Sequence, residues 1–115
     1  MQRRAVLRDV AAGRRSLGDV CDAHPDLVRA SRHIGTPVEE DCPLCGDEAL
    51  AQVTYVFEGA RHGSCSGRAV PRESLRRQVE RYGELHVYTV EVCAACHWHH
   101  LVESYALTPR DSAVG

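Results

Sequence analysis

Two Cys-x-x-Cys pairs, Cys42-Pro43-Leu44-Cys45 and Cys93-Ala94-Ala95-Cys96, constrain this chain more than any other feature. A turn of that length lets backbone N–H groups point at sulfur while its two side chains converge, so two such turns can build one tetrahedral set of thiolates. Four thiolates complete the coordination sphere of zinc and leave no position for water or substrate, which is the signature of a structural site. The spacing therefore predicts one structural zinc ion held by Cys42, Cys45, Cys93 and Cys96. The alternative is two separate thiol pairs, packed as small hydrophobes or active in redox exchange. A thioredoxin-like role needs a Cys-x-x-Cys at a helix start within a βαβ unit, and neither pair has that setting.

Whether the other cysteines matter depends on compartment. No run of about 18 apolar residues could span a bilayer, and Met1-Gln2-Arg3-Arg4 leads into an amphipathic stretch instead of a signal-peptide core. This predicts a cytoplasmic chain with no membrane partner, where six cysteines are read as metal ligands and free thiols before disulfides. Cys21 and Cys65 stand alone and read as incidental or buried thiols. His62 beside Cys65 suggests a catalytic dyad, yet no third orienting group can be named. Gly63-Ser64-Cys65-Ser66-Gly67 lacks the lysine of a phosphate loop and reads as a plain loop.

At 115 residues, 43% hydrophobic and 26% charged, the chain has the makings of one folded domain and is too short for two. Apolar Val6, Leu7, Val10 and Ala11 recur at helical spacing, Gly13 ends that helix, and a short turn starts at Ser16. Pro25, with Leu27, Ala30 and Ile34 on one face, predicts a second helix stopped by Gly35 and Pro37. Alternation of Val53, Tyr55 and Phe57 predicts a strand over 50–57. A loop over 59–67 follows, then a helix opened by Pro71 with Leu75, Val79 and Tyr82 on its face. Two further strands, 85–93 and 100–107, place the second cysteine pair at a hairpin tip.

The predicted architecture is α+β: a zinc-ribbon-type antiparallel three-stranded sheet with two zinc knuckles, flanked by N-terminal helices and one inserted helix. As a single domain over 1–115, it divides into a helical segment over 1–36, a ribbon core over 37–109 and a loose tail over 110–115.

Charge is uneven. Arg3, Arg4, Arg8, Arg14 and Arg15 face only Asp9 near the start, whereas Glu39, Glu40, Asp41, Asp47 and Glu48 surround the first knuckle. The arginines are candidates for nucleic-acid or partner contact, or simply a solvated helix face. Lysine and asparagine are absent, which points to a GC-rich genome and removes any special meaning from arginine over lysine. Trp98 either caps the zinc site or projects as a contact residue. His97, His99 and His100 adjoin the second knuckle, but neighbouring strand residues alternate faces, so His99 and His100 do not converge on one ion.

The blocks Cys21-Asp22-Ala23-His24-Pro25-Asp26-Leu27, Cys42-Pro43-Leu44-Cys45, Tyr55-Val56-Phe57, Val90-Glu91-Val92-Cys93, Cys96-His97-Trp98 and His100-Leu101-Val102 resemble an uncharacterised actinobacterial family of small zinc-ribbon-like proteins. The resemblance spans nearly the whole chain and implies no established activity. The family pattern has Gly-Trp-Asn-His after the last cysteine, where this chain has His97-Trp98-His99-His100.

Three functions compete. The first is a non-enzymatic adaptor or regulator that docks on a larger protein or ribonucleoprotein complex, with transcription or translation machinery as the fold-level analogy. The second is direct nucleic-acid binding through the N-terminal arginines. The third is a metal-dependent enzyme, which requires an open coordination position.

Overall fold

The computed structural model describes residues 2–46, 49–58 and 67–110. The proposed thiol pairing of His62 and Cys65, most of the 59–67 loop, Asp47, Glu48 and all of the tail except Arg110 lie outside these residues.

The chain begins with α1 (Arg3–Ala11) and the single turn α2 (Leu17–Val20), followed by α3 (Pro25–His33). Local chemistry sets their boundaries. Gly13, at φ 77°, turns the chain out of α1. A capping box starts α2: Ser16 Oγ accepts from Asp19 N–H at 3.2 Å, and the Asp19 carboxylate accepts from Ser16 N–H at 3.2 Å. Pro25 opens α3 while His24 Nδ1 accepts from Asp26 N–H at 3.1 Å. The side chains that α3 buries most deeply are Val28 and Ser31, one position on from the predicted Leu27 and Ala30, which are half-buried.

Among the described residues five strands follow, where three were predicted. β2 (Ala49–Glu58), β4 (Leu85–Val92) and β5 (His99–Leu107) are the expected ones, and β1 (Thr36–Asp41) and β3 (Arg68–Val70) are additions. The sheet is antiparallel with order β1-β2-β4-β5, and β3 shares the β1 edge of β2. β1 pairs with the first residues of β2 (Pro37 with Ala51) and β3 with later ones (Tyr55 with Ala69). Pro37 reads as a stop signal, yet an edge strand tolerates a residue that donates no ladder bond. With three residues, β3 is too short to display a period.

One more helix, α4 (Leu75–Tyr82), is preceded by a 3₁₀ turn over Arg72–Ser74. Its predicted face is correct: Val79 is fully buried with Val56, Val70, Leu85 and Val87, and Leu75 and Tyr82 pack beside it. Arg68 ties β3 to this end, donating to Glu58 at 2.9 Å and Gln78 at 2.8 Å while its guanidinium lies 4.6 Å from the Tyr82 ring centre.

A second core occupies the other end of the sheet. There Val6 and Val20 of α1 and α2 pack with Leu50, Trp98, Cys42 and Cys93, so the N-terminal helices cover the knuckles. The cysteines accordingly lie at one end of the sheet and α4 at the other.

Candidate metal centre

The first knuckle connects β1 to β2, and the second forms the turn between β4 and β5. Both turns have the same backbone. Gly46 N–H donates to Cys42 C=O at 3.0 Å, and His97 N–H donates to Cys93 C=O at 2.9 Å. Each turn also aims an amide at its first sulfur: Leu44 N–H lies 3.4 Å from Cys42 Sγ and Cys96 N–H 3.5 Å from Cys93 Sγ. The residue closing each turn is left-handed, Gly46 at φ 68° and His97 at φ 69°. Glycine adopts that conformation freely, whereas histidine does so at a cost.

The turns meet. Ligand atoms of Cys42, Cys45, Cys93 and Cys96 all lie within 4.8 Å of one another. Sulfurs from opposite knuckles are 3.6 Å apart in two pairs, Cys42 with Cys96 and Cys45 with Cys93. Metal–sulfur bonds of about 2.3 Å imply a tetrahedron edge of about 3.8 Å, so the sulfur framework fits a small tetrahedral ion. Cys42 and Cys93 are buried, and Cys45 and Cys96 half-buried. Burial pushes the Cys93 and Cys96 thiols above their ordinary pKa, partly offset by backbone amides directed at the sulfurs. An ion entering the site must therefore displace protons. Among the described residues this is the one group of three or more potential ligands brought this close, and no histidine joins it.

The other knuckle residues serve the frame. Trp98 is completely buried in the knuckle core, which corrects the expectation that it could project as a contact residue. Its Nε1–H donates to Glu91 at 3.3 Å, its carbonyl accepts from Cys93 N–H at 2.9 Å, and its ring stacks on His100 with centres 5.9 Å apart. Burial lowers the pKa of His100, so that ring favours its neutral form. His99 turns elsewhere, to Asp22 at 2.7 Å.

The arginine group is divided. Arg3 reaches into the fold, with its guanidinium 3.0 Å from Glu91 and 3.3 Å from Glu40. Glu91 is only 5% exposed, so Arg3 supplies the positive charge that a buried carboxylate requires. The Arg3 Nε–H is not well aimed at its neighbour, which makes this chiefly a charge pairing. Arg14 pairs with Asp9 at 3.0 Å, and Arg15 is also engaged. Arg4 and Arg8 point outward. The five predicted contact arginines thus do not form one free basic face.

Cys21, read from the sequence as an incidental or buried thiol, is half-buried beside the second knuckle. Its sulfur lies 3.9 Å from Cys96 Sγ, although 75 residues separate the two. Ala23 N–H donates to His97 C=O at 3.1 Å, and Arg32 of α3 donates to Ala94 C=O at 3.3 Å, so the α2–α3 segment is bonded to the second knuckle. Spacing gives no hint of such a contact.

Residues 1–114 match a family described as a family of unknown function, DUF5318. The uncharacterized protein Mb0050 of Mycobacterium bovis and the uncharacterized protein Rv0049 of Mycobacterium tuberculosis are each 43% identical over 107 residues. Those alignments cover 93% of this chain and 77% of each relative. No solved structure matches the chain.

Proposed function

The chain belongs to the DUF5318 family, represented in mycobacteria, and from that premise we propose that it is a non-enzymatic zinc-ribbon protein acting as an adaptor on a larger cytoplasmic assembly. The observation that carries this reading is the four-sulfur cluster, whose dimensions and donor set suit one zinc ion. Zinc at this site closes its coordination with protein ligands, and the ion's role is to hold two knuckles and two helices together. Soft thiolates favour zinc over magnesium or calcium, which prefer oxygen. Such a closed sphere argues against metal-dependent catalysis. Among the described residues no helix is long and apolar enough to cross a membrane.

An adaptor needs a surface to dock with. β5 is the outer strand on its side of the sheet, and Leu101, Val102 and Tyr105 are exposed along it. An unpaired strand edge offers backbone donors and acceptors to an incoming segment. The arginine-based nucleic-acid reading is weaker, because Arg3 and Arg14 are already paired with carboxylates.

The test is an affinity capture of the tagged protein from an actinobacterial lysate, with and without nuclease, against a variant carrying Tyr105→Arg on β5. The adaptor reading expects a defined protein assembly that survives nuclease and is lost with the variant. Loss of every partner on nuclease treatment would favour direct nucleic-acid binding instead.

A further inference from the structure

Five sulfurs, and not four, meet at the knuckle end of the molecule. Cys21 Sγ is 3.9 Å from Cys96 Sγ, close to the 3.6 Å between Cys96 and Cys42. This position is built. Asp22 contacts His99 at 2.7 Å and Ala23 N–H bonds to His97 C=O at 3.1 Å, so residues on either side of the second knuckle's end hold the segment that carries Cys21. Solvent access is uneven too: Cys21, Cys45 and Cys96 are half-buried, whereas Cys42 and Cys93 are buried.

We propose that Cys21 and Cys96 form an oxidisable pair, a peroxide-sensitive disulfide site that withdraws Cys96 from the four-sulfur set. The consequence for zinc rests on the reading above; the pairing of sulfurs rests on their positions alone. The Cys96 sulfur attacks one oxygen of hydrogen peroxide, forming an S–O bond as the O–O bond breaks, and the departing hydroxide becomes water by taking the Cys96 thiol proton, or one from solvent where an ion holds that sulfur. The Cys21 sulfur then attacks the sulfenic sulfur. An S–S bond forms, the S–O bond breaks, and the second hydroxide leaves as water with the Cys21 proton. The two sulfurs together lose two electrons, and one peroxide gains them.

Competing bonds within the ligand set are disfavoured while an ion is bound. Joining Cys42 to Cys96, or Cys45 to Cys93, removes two ligands in one step. Joining Cys21 to Cys96 removes one, because Cys21 lies outside the set that the ion occupies.

The experiment treats zinc-loaded wild type and Cys21→Ser with graded hydrogen peroxide, following zinc release with a chromophoric chelator and cross-links by non-reducing tryptic mass spectrometry. Cleavage after arginine leaves Cys21 in peptide 16–29 and Cys96 in peptide 82–110. The proposal expects these two peptides joined, with fragmentation placing the bond on Cys96 and not Cys93, and zinc leaving in step. Cys21→Ser should hold one zinc beforehand and release it about tenfold more slowly. Release from Cys21→Ser at the wild-type rate, or a Cys42–Cys96 or Cys45–Cys93 bond, would overturn it. So would a Cys21→Ser protein that cannot retain zinc, since Cys21 would then be a ligand. If wild type holds no zinc, the metal reading fails, and the cross-linked peptide still decides the sulfur pairing.

Discussion

His97 occupies a left-handed backbone position that its counterpart in the first knuckle fills with Gly46. A β-carbon in that region is unfavourable by about 1 kcal/mol. His97→Gly should therefore stabilise the protein by about 1 kcal/mol in urea unfolding, with its metal content unchanged. A second residue-scale feature is the Arg3–Glu91 pair, in which a nearly buried carboxylate depends on one guanidinium and the Trp98 indole. Arg3→Met should cost about 2 kcal/mol, because it leaves the Glu91 charge without its partner. Adding Glu91→Gln should recover part of that loss, and a double-mutant cycle by urea unfolding measures the coupling. If the two changes add independently, the pairing contributes nothing to stability.

Elements differ in how far the sequence announces them. Both knuckles were legible because Cys-x-x-Cys is a local geometry: four consecutive residues determine where two sulfurs point. The β4–β5 hairpin and the α4 face were legible for the same reason, since their periodicity is complete within one segment. β1 was hidden by Pro37, whose effect depends on whether the strand lies at an edge, a property of the whole sheet. Trp98 was ambiguous, because a large apolar residue at a hairpin tip can turn inward or outward, and only the covering helices decide. Cys21 was illegible, since its neighbour is reached across tertiary space.

That covering role predicts a contrast between α1 and α4. Val6 packs against the cysteine core and Val79 against the opposite core, and both are buried. Truncation to alanine at either should cost about 2 kcal/mol. Val6→Ala should also speed stripping of the metal by a chelator about tenfold, as loss of a supporting contact around a metal site does. Val79→Ala should leave that rate alone. Equal stripping rates in the two variants would show that α1 does not shelter the knuckles.

At the scale of the molecule, the two ends are held differently. The α4 end is an aliphatic core of Val56, Val70, Val79, Leu85 and Val87, whereas the knuckle end includes five cysteines among its packed residues. An ion that draws four sulfurs together substitutes there for apolar volume. Chelation should therefore cost hydrogen-exchange protection first in α1, α2 and the knuckles, with β2, β4 and α4 retaining theirs longer. The pH dependence follows from the raised thiol pKa values of Cys93 and Cys96. Metal-free thiols hold their protons at neutral pH, and binding needs thiolates, so falling pH opposes binding and rising pH favours it. Zinc titrations in buffers of different ionisation enthalpy should show proton release from Cys93 and Cys96, with affinity weakening from about pH 8 to about pH 6.

We propose that one zinc ion bound by four cysteines holds the knuckle end together. Native mass spectrometry of the purified protein beside Cys93→Ser, with circular dichroism on both, tests it most directly. One zinc per wild-type chain is expected, and a variant that loses the ion and is destabilised by several kcal/mol or unfolds. A wild-type chain without zinc, or a Cys93→Ser protein that stays folded with its ion in place, would contradict it.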